Sequence, residues 1–190
     1  MNTVETIAFV LGVINVTLVV RRSVWNFPFG MAMVSLYAIV FWRERLYSDM
    51  LLQGFFFVVN AWGWRMWAAN RAAAGEVVVE TMPVREAAAW LLGWAAISLG
   101  WGVAMERLTD ADYPWADAAI AAASIAAQVM MARRLLENWI VWIGVDIASI
   151  WLYAAKGLWL TLVLYVIFLG LSAWGLHDWR AALRRGRAVS

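Results

Sequence analysis

Trp139, Trp142 and Asp146 stand three and four residues apart, so on a helix they share one face, and Ser149 and Tyr153 continue the stripe. The surrounding run is almost wholly apolar. A carboxylate at the centre of such a run costs on the order of 2.5–3.5 kcal/mol to place in a membrane. Two indole faces beside it attract positive charge by about 0.5–2 kcal/mol, depending on desolvation. That pairing suits a cation. Gln53, Asn60 and Trp64 form a second stripe, with Phe56 or Phe57 between the amides, and Asp117, Ser124 and Gln128 form a third. Amides read hydroxyls and carboxamides, and rings stack on planar heterocycles. The chemistry that these groups address together is recognition of a cationic, aromatic, hydroxylated solute.

Each stripe also has a structural reading. Gln53 and Asn60 would serve equally as interhelical glue. Trp139 and Trp142 lie near a span end, where aromatic belts form, and Trp62, Trp67, Trp174 and Trp179 are expected as interfacial anchors. Asp146 could pair with Lys156 or an arginine, and Asp117 could simply cap its helix. His177, beside a basic tail, reads as ordinary. Pro28 is either a kink in its helix or a harmless residue near a helix start.

Composition decides the class. Hydrophobic residues make up 65% of the 190 residues and charged ones 15%, with 15 tryptophans; mean hydropathy is +0.71. Ordinary soluble domains run near 45–50% and 25%. This is the composition of an all-α, polytopic membrane protein. With no cysteine and one histidine, disulfides, a thiolate metal site and a histidine triad are excluded. No ATP-binding loop, no nucleophile with its base and no cofactor signature is present, so an enzyme is not expected. The formal charge of +2 comes from loop arginines and points to topology, with no nucleic-acid partner implied. No cleavable signal peptide is expected.

A membrane span needs about 20 apolar residues. Seven segments qualify: 4–20, 24–42, 48–69, 86–105, 116–132, 138–155 and 158–176. The fifth is alanine-rich and reads as a tightly packed inner helix, because small residues let backbones approach. A polar stretch with Arg71, Glu76, Glu80 and Pro83 reads as a hinge, and the tail after Leu176 as a basic cytoplasmic or interfacial segment.

An ungapped shift of 112 residues reveals an internal repeat. It carries Arg21-Arg22 onto Arg133-Arg134, Asn26 onto Asn138, Leu46 onto Leu158, Ala61-Trp62-Gly63 onto Ala173-Trp174-Gly175 and Trp67 onto Trp179. Two copies pointing the same way need an odd number of helices between them. The expected organisation is a three-helix repeat in 1–70, a connecting segment with a linker helix in 71–112, and a second repeat with a basic tail in 113–190. This is a 3+1+3 parallel-repeat arrangement around an axis along the membrane normal. Four of the 15 basic residues (Arg43, Arg45, Arg107 and Lys156) fall on the N-terminal side and the others on the C-terminal side. The positive-inside rule therefore puts the N-terminus outside and the C-terminus in the cytoplasm.

The segments L-Y-S-D-M-L-L-Q-G-F-F-F-V-V-N-A-W-G-W-R-M-W (46–67) and R-R-L-L-E-N-W-I-V-W-I-G-V-D (133–146) resemble the PnuC-type vitamin transporters, notably those for nicotinamide riboside. The resemblance covers nearly the whole chain and is weakest over 71–112. It implies a SWEET-like fold in the bacterial inner membrane, uptake of an unphosphorylated vitamin by facilitated diffusion, trapping by a separate cytoplasmic kinase, and a homotrimer in the bilayer. Carried over by position, Gln53, Asn60, Trp139 and Trp142 would contact the substrate. At Asp146 the chain departs from the pattern, since nicotinamide riboside members tend to carry Asn there. Thiamine, carried by other members and also cationic, is the alternative; a neutral flavin gives Asp146 less reason to exist. Outside transport, the chain could be a membrane receptor or scaffold.

Overall fold

The computed structural model describes residues 3–43, 47–109 and 112–189. Arg45, Leu46 and the middle of the 106–114 loop lie outside them. Seven α-helices occur among the described residues: α1 (Thr3–Val20), α2 (Asn26–Arg43), α3 (Tyr47–Ala74), α4 (Val84–Leu108), α5 (Pro114–Ala132), α6 (Asn138–Ala155) and α7 (Trp159–Val189). By length and composition α4, α5, α6 and residues Thr161–Gly186 of α7 can cross a membrane, while α1 and α2 show shorter apolar stretches, Phe9–Val20 and Asn26–Ile39. Pro28 sits in the first turn of α2, where its missing N–H breaks no helical bond. It marks a start and makes no kink.

Two boundaries differ from expectation. α3 and α7 run on to Ala74 and Val189, well past the apolar spans that seed them. The basic tail is thus a helical extension of α7, because alanine, leucine and arginine favour helix and outweigh the single Gly186.

Six helices close a ring. α1 packs on α2 and α7, α2 on α3, α3 on α5, α5 on α6, and α6 on α7; α4 stands outside, against α5 alone. α5 is the tightly packed helix that its alanines foretold, with Ala118, Ala122, Ala126 and Ala127 buried.

At one end the ring is shut by aromatics. Trp67 and Trp179 are fully buried at 0% exposure, which corrects their reading as interfacial anchors. A buried indole N–H needs an acceptor, and carbonyls in the last turn of a helix have lone pairs to spare. Trp67 Nε1 donates to Met131 O at the end of α5 (3.2 Å). Trp179 Nε1 donates to Val19 O and Val20 O at the end of α1 (3.2 Å each). The rings pack in a row: Phe27 edge on to Trp67 (5.2 Å), Trp67 tilted on Trp179 (5.8 Å) and Trp179 edge on to Trp139 (5.6 Å). Trp62 and Trp174, by contrast, are half-exposed, as a belt position requires.

The turns at this end match at positions 112 apart. Arg22 and Arg134 both adopt left-handed backbone, with φ of 53° and 63°. Asn26 Nδ2 donates to Ser23 O (2.7 Å) and Asn138 Nδ2 to Leu135 O (2.6 Å), closing each turn in the same way. Phe27 lies over Gly63 and Trp139 over Gly175.

The polar segment 75–83 is no free hinge. Glu80 pairs with the backbone around Leu135, through Glu80 N–H to Arg134 O (3.0 Å) and Leu136 N–H to Glu80 O (2.8 Å).

A Cβ on Gly175 would stand 2.5 Å from the Trp139 indole, whereas one on Gly170 would meet nothing within 4 Å. Gly175→Ala is therefore expected to destabilise by about 1–3 kcal/mol through overpacking, and Gly170→Ala not at all. A thermal-shift comparison of the purified variants tests this; equal melting points would mean that the indole is not held against the glycine.

Candidate solute-binding cavity

The ring encloses a cavity of about 430 Å³, within the 300–1,000 Å³ usual for small-molecule sites. Helix α4 contributes nothing to it. The aromatic closure forms its floor, since Trp139, Met131 and Val19 belong to both.

Of the residues singled out by sequence, Gln53 and Asn60 from α3 and Trp139, Trp142, Asp146 and Tyr153 from α6 all line it. Two do not. Trp64 is 40% exposed on the outside of the ring. The inward face of α3 passes through Asn60, Gly63 and Trp67 to reach the aromatic closure, and this turns Trp64 away. Ser149 is buried but absent from the lining; about 60° of helical rotation from Asp146 takes it into the packing of α6 on its neighbours.

The lining also holds residues that the sequence argument passed over. Asn15 and Tyr37 come from the first half, and Thr161, Tyr165, Phe168 and Ser172 from α7. The shift of 112 carried the signal for some of these, because it places Tyr165 on Gln53, Phe168 on Phe56 and Ser172 on Asn60. Gln128, from the third stripe, lines the cavity too.

Asp146 is buried, and its Oδ2 accepts the Ser172 hydroxyl proton (2.9 Å). Lys156 is not its partner: that ammonium pairs with Asp117 Oδ2 at 3.1 Å, near the other end of the bundle. Asp117 is thus an ion-pair residue, and Tyr113 occupies the cap position of its helix. No Lys, Arg or His lines the cavity among the described residues.

The amides divide their work. Asn60 Nδ2 donates to Phe56 O in its own helix (2.8 Å), and Asn60 Oδ1 accepts from Gln128 Nε2 (3.3 Å). This bond crosses from α3 to α5. Asn15 Nδ2 donates to Asn26 O (2.6 Å), holding α1 to the first turn of α2. Gly30 gives these groups room, because a Cβ there would stand 2.8 Å from Asn15 Nδ2 and 3.0 Å from Asn60 Oδ1. Around them, Tyr153 packs on Tyr165 (5.2 Å) and Tyr165 on Phe168 (5.9 Å).

The set can stack a planar ring, hydrogen-bond hydroxyls and neutralise one positive charge. It holds no activated nucleophile, and no cluster of three or more His, Cys, Asp or Glu occurs among the described residues.

Residues 2–181 match the family model described as nicotinamide mononucleotide transporter. The chain is 33% identical to the nicotinamide riboside transporter PnuC of Neisseria mucosa, over 95% of this chain and 73% of that one. It is 28% identical to the riboflavin/roseoflavin transporter RibM of Streptomyces davaonensis, over 95% and 86%. Its fold superposes on the crystal structure of the vitamin B3 transporter PnuC with a TM-score of 0.76, at 28% identity, covering 96% of this chain and 82% of that one. A cavity built for recognition, inside a ring of apolar helices, is what such carriers require. The chain belongs to the nicotinamide mononucleotide transporter family and is a multi-pass membrane transporter, not an enzyme.

Proposed function

We propose that the chain carries nicotinamide riboside across the membrane by facilitated diffusion, the solute binding in the central cavity. The observation that carries this reading is Asp146, a buried carboxylate with a hydroxyl partner and no basic side chain in the same cavity. A buried anion of that kind is stabilised by a cationic occupant. The pyridinium of the riboside supplies the charge, and Trp142 and Trp139 supply faces for its ring. A mononucleotide fits less well, since a phosphate would be desolvated with no cation to meet it. Gln128 keeps its carbonyl free toward the solute, while both ends of the Asn60 amide are engaged within the protein. In this reading Gln53, Gln128 and Tyr153 address the ribose and carboxamide, and Asn60 holds Gln128 in place.

Asp146 also supports a second occupant of the same charge, thiamine. Riboflavin, the solute in the printed name of one relative, is neutral and leaves the carboxylate without a counter-charge. Matched turns and crossed tryptophans at positions 112 apart support a 3+1+3 parallel repeat, with α4 as the linker. The excess of arginine at the closed end supports a cytoplasmic position for that end and for the C-terminus. Phosphorylation by a separate cytoplasmic kinase would trap the vitamin, and a homotrimer is the assembly that accompanies this reading.

Asp146→Asn is expected to weaken binding of nicotinamide riboside or thiamine tenfold or more, about 1.4 kcal/mol, in a tryptophan-quenching titration. Unchanged affinity for every vitamin tried would remove the carboxylate from the site. Trp142→Ala should weaken binding by at least tenfold while Trp64→Ala leaves it within twofold; the reverse order would move the site off the cavity. Uptake of labelled vitamin into proteoliposomes should persist with no ion gradient. A strict proton or sodium requirement would overturn facilitated diffusion, and no flux above empty vesicles would favour a receptor.

A further inference from the structure

A carrier must open its cavity to each side in turn, so the closed end has to yield. Beneath the aromatic closure runs the segment from Gly75 to Pro83. It leaves α3 through Gly75, whose φ of +79° favours glycine. Val77 and Val79 then point inward and join Trp67, Trp139 and Trp179 in one buried cluster. Glu76, Val78 and Glu80 alternate outward, as in a strand.

The segment grips both left-handed turns of this end, but unequally. On the second half, Arg134 pairs with Glu80 and donates from Nε to Val78 O (3.2 Å). The two backbone bonds around Glu80 add to this, and Glu137 Oε1 accepts from Met82 N–H (3.3 Å). Arg134 is only 8% exposed, so its charge depends on these partners. On the first half, the Asn70 carboxamide accepts from Val78 N–H (2.8 Å) within the segment's own root. Besides the packing of Val77 and Val79 in the cluster that holds Val19 and Val20, the polar tie to the α1–α2 turn among the described residues is one ion pair, Arg22 to Glu76, at 3.7 Å with Glu76 well exposed. Such an exposed pair is weak and readily broken.

We infer that residues 75–83 are a gating strap that travels with the second half: Glu80 and Arg134 are its fixed anchor, and the Arg22–Glu76 pair is the latch that releases when the closed end opens. Gly75 is the pivot. Opening then parts Val77 and Val79 from Trp67 and from Val19 and Val20 of the first half, and uncovers the cavity floor.

The natural absence of cysteine allows a clean test. Purified Val79→Cys protein in nanodiscs is labelled with a membrane-impermeant maleimide, with and without Glu76→Gln. The unlatched variant should label at least threefold faster, whatever solute the protein carries; an equal rate would overturn the latch. Should Val79→Cys fail to fold, hydrogen exchange at the amides of Val77 to Glu80 gives the same readout, again faster in Glu76→Gln. In proteoliposomes loaded by uptake of labelled nicotinamide riboside, thiamine or riboflavin, a short thiol cross-link between Arg22→Cys and Glu76→Cys should stop flux. A cross-link between Glu80→Cys and Leu135→Cys should leave at least half of it. Flux through the first, or arrest by the second, would show that the strap does not move as described. Absence of flux for all three vitamins in the unmodified protein would count against the substrate reading alone, because the labelling and exchange experiments need no solute.

Discussion

Two indole N–H groups hold the closed end of this protein together. Trp67 and Trp179 each reach across to the last carbonyls of a helix in the other half of the chain. In a bilayer an orphan indole N–H is costly, and a carbonyl in the last turn of a helix has a second lone pair to offer it even when its first is used by a turn. The crossed bonds satisfy both indoles, and they do so only if the halves stand in register. Gly63 and Gly175 let Phe27 and Trp139 lie flat enough to complete the row of rings. The cavity exists because this row shuts one end of a ring whose middle is left open.

Above the closure, the two halves cease to be equivalent. The second contributes a carboxylate, Asp146, where the first has Val34, and the first contributes Gln53 where the second has Tyr165. A symmetric cavity would offer two acids or none. With one acid, and with tryptophans on one wall only, the cavity presents different chemistry on its two sides. The bond from Gln128 to Asn60 joins the walls at this level, so the amide side of the site is sensitive to how the halves sit together. Below the closure, the strap couples the same two halves through turns that carry the same left-handed arginine.

Much of this was written in periodicity and composition. The apolar runs marked all seven helices, with α6 at its observed ends, and the shift of 112 named the glycines, arginines and tryptophans that shape the closure. The stripe of Trp139, Trp142, Asp146 and Tyr153 reached the cavity as its spacing required. What failed did so for a common reason. Tryptophans near span ends look alike in sequence whether they face headgroups or a core. Trp62 and Trp174 keep two-fifths of their surface exposed, and Trp67 and Trp179 are buried in the core. Spacing likewise put Trp64 and Ser149 on their stripes, but the direction of an inward face shifts with whatever the helix packs against, and here it passed them by.

The sequence alone determined the membrane class, the helices and the presence of an internal echo, because each depends on local hydropathy and on residue identity at fixed separations. It also isolated Asp146 as a carboxylate at the centre of an apolar run, where the others in the spans sit near an end. Only the tertiary structure decided what Asp146 meets, that Lys156 belongs to Asp117, that Asn60 is engaged from both ends, and that the polar stretch after α3 pairs with the turn between α5 and α6. Those facts depend on which groups from distant segments come within hydrogen-bond reach. Helical spacing orients a side chain about its own axis, and the neighbour on the far side is set by the packing of the whole ring.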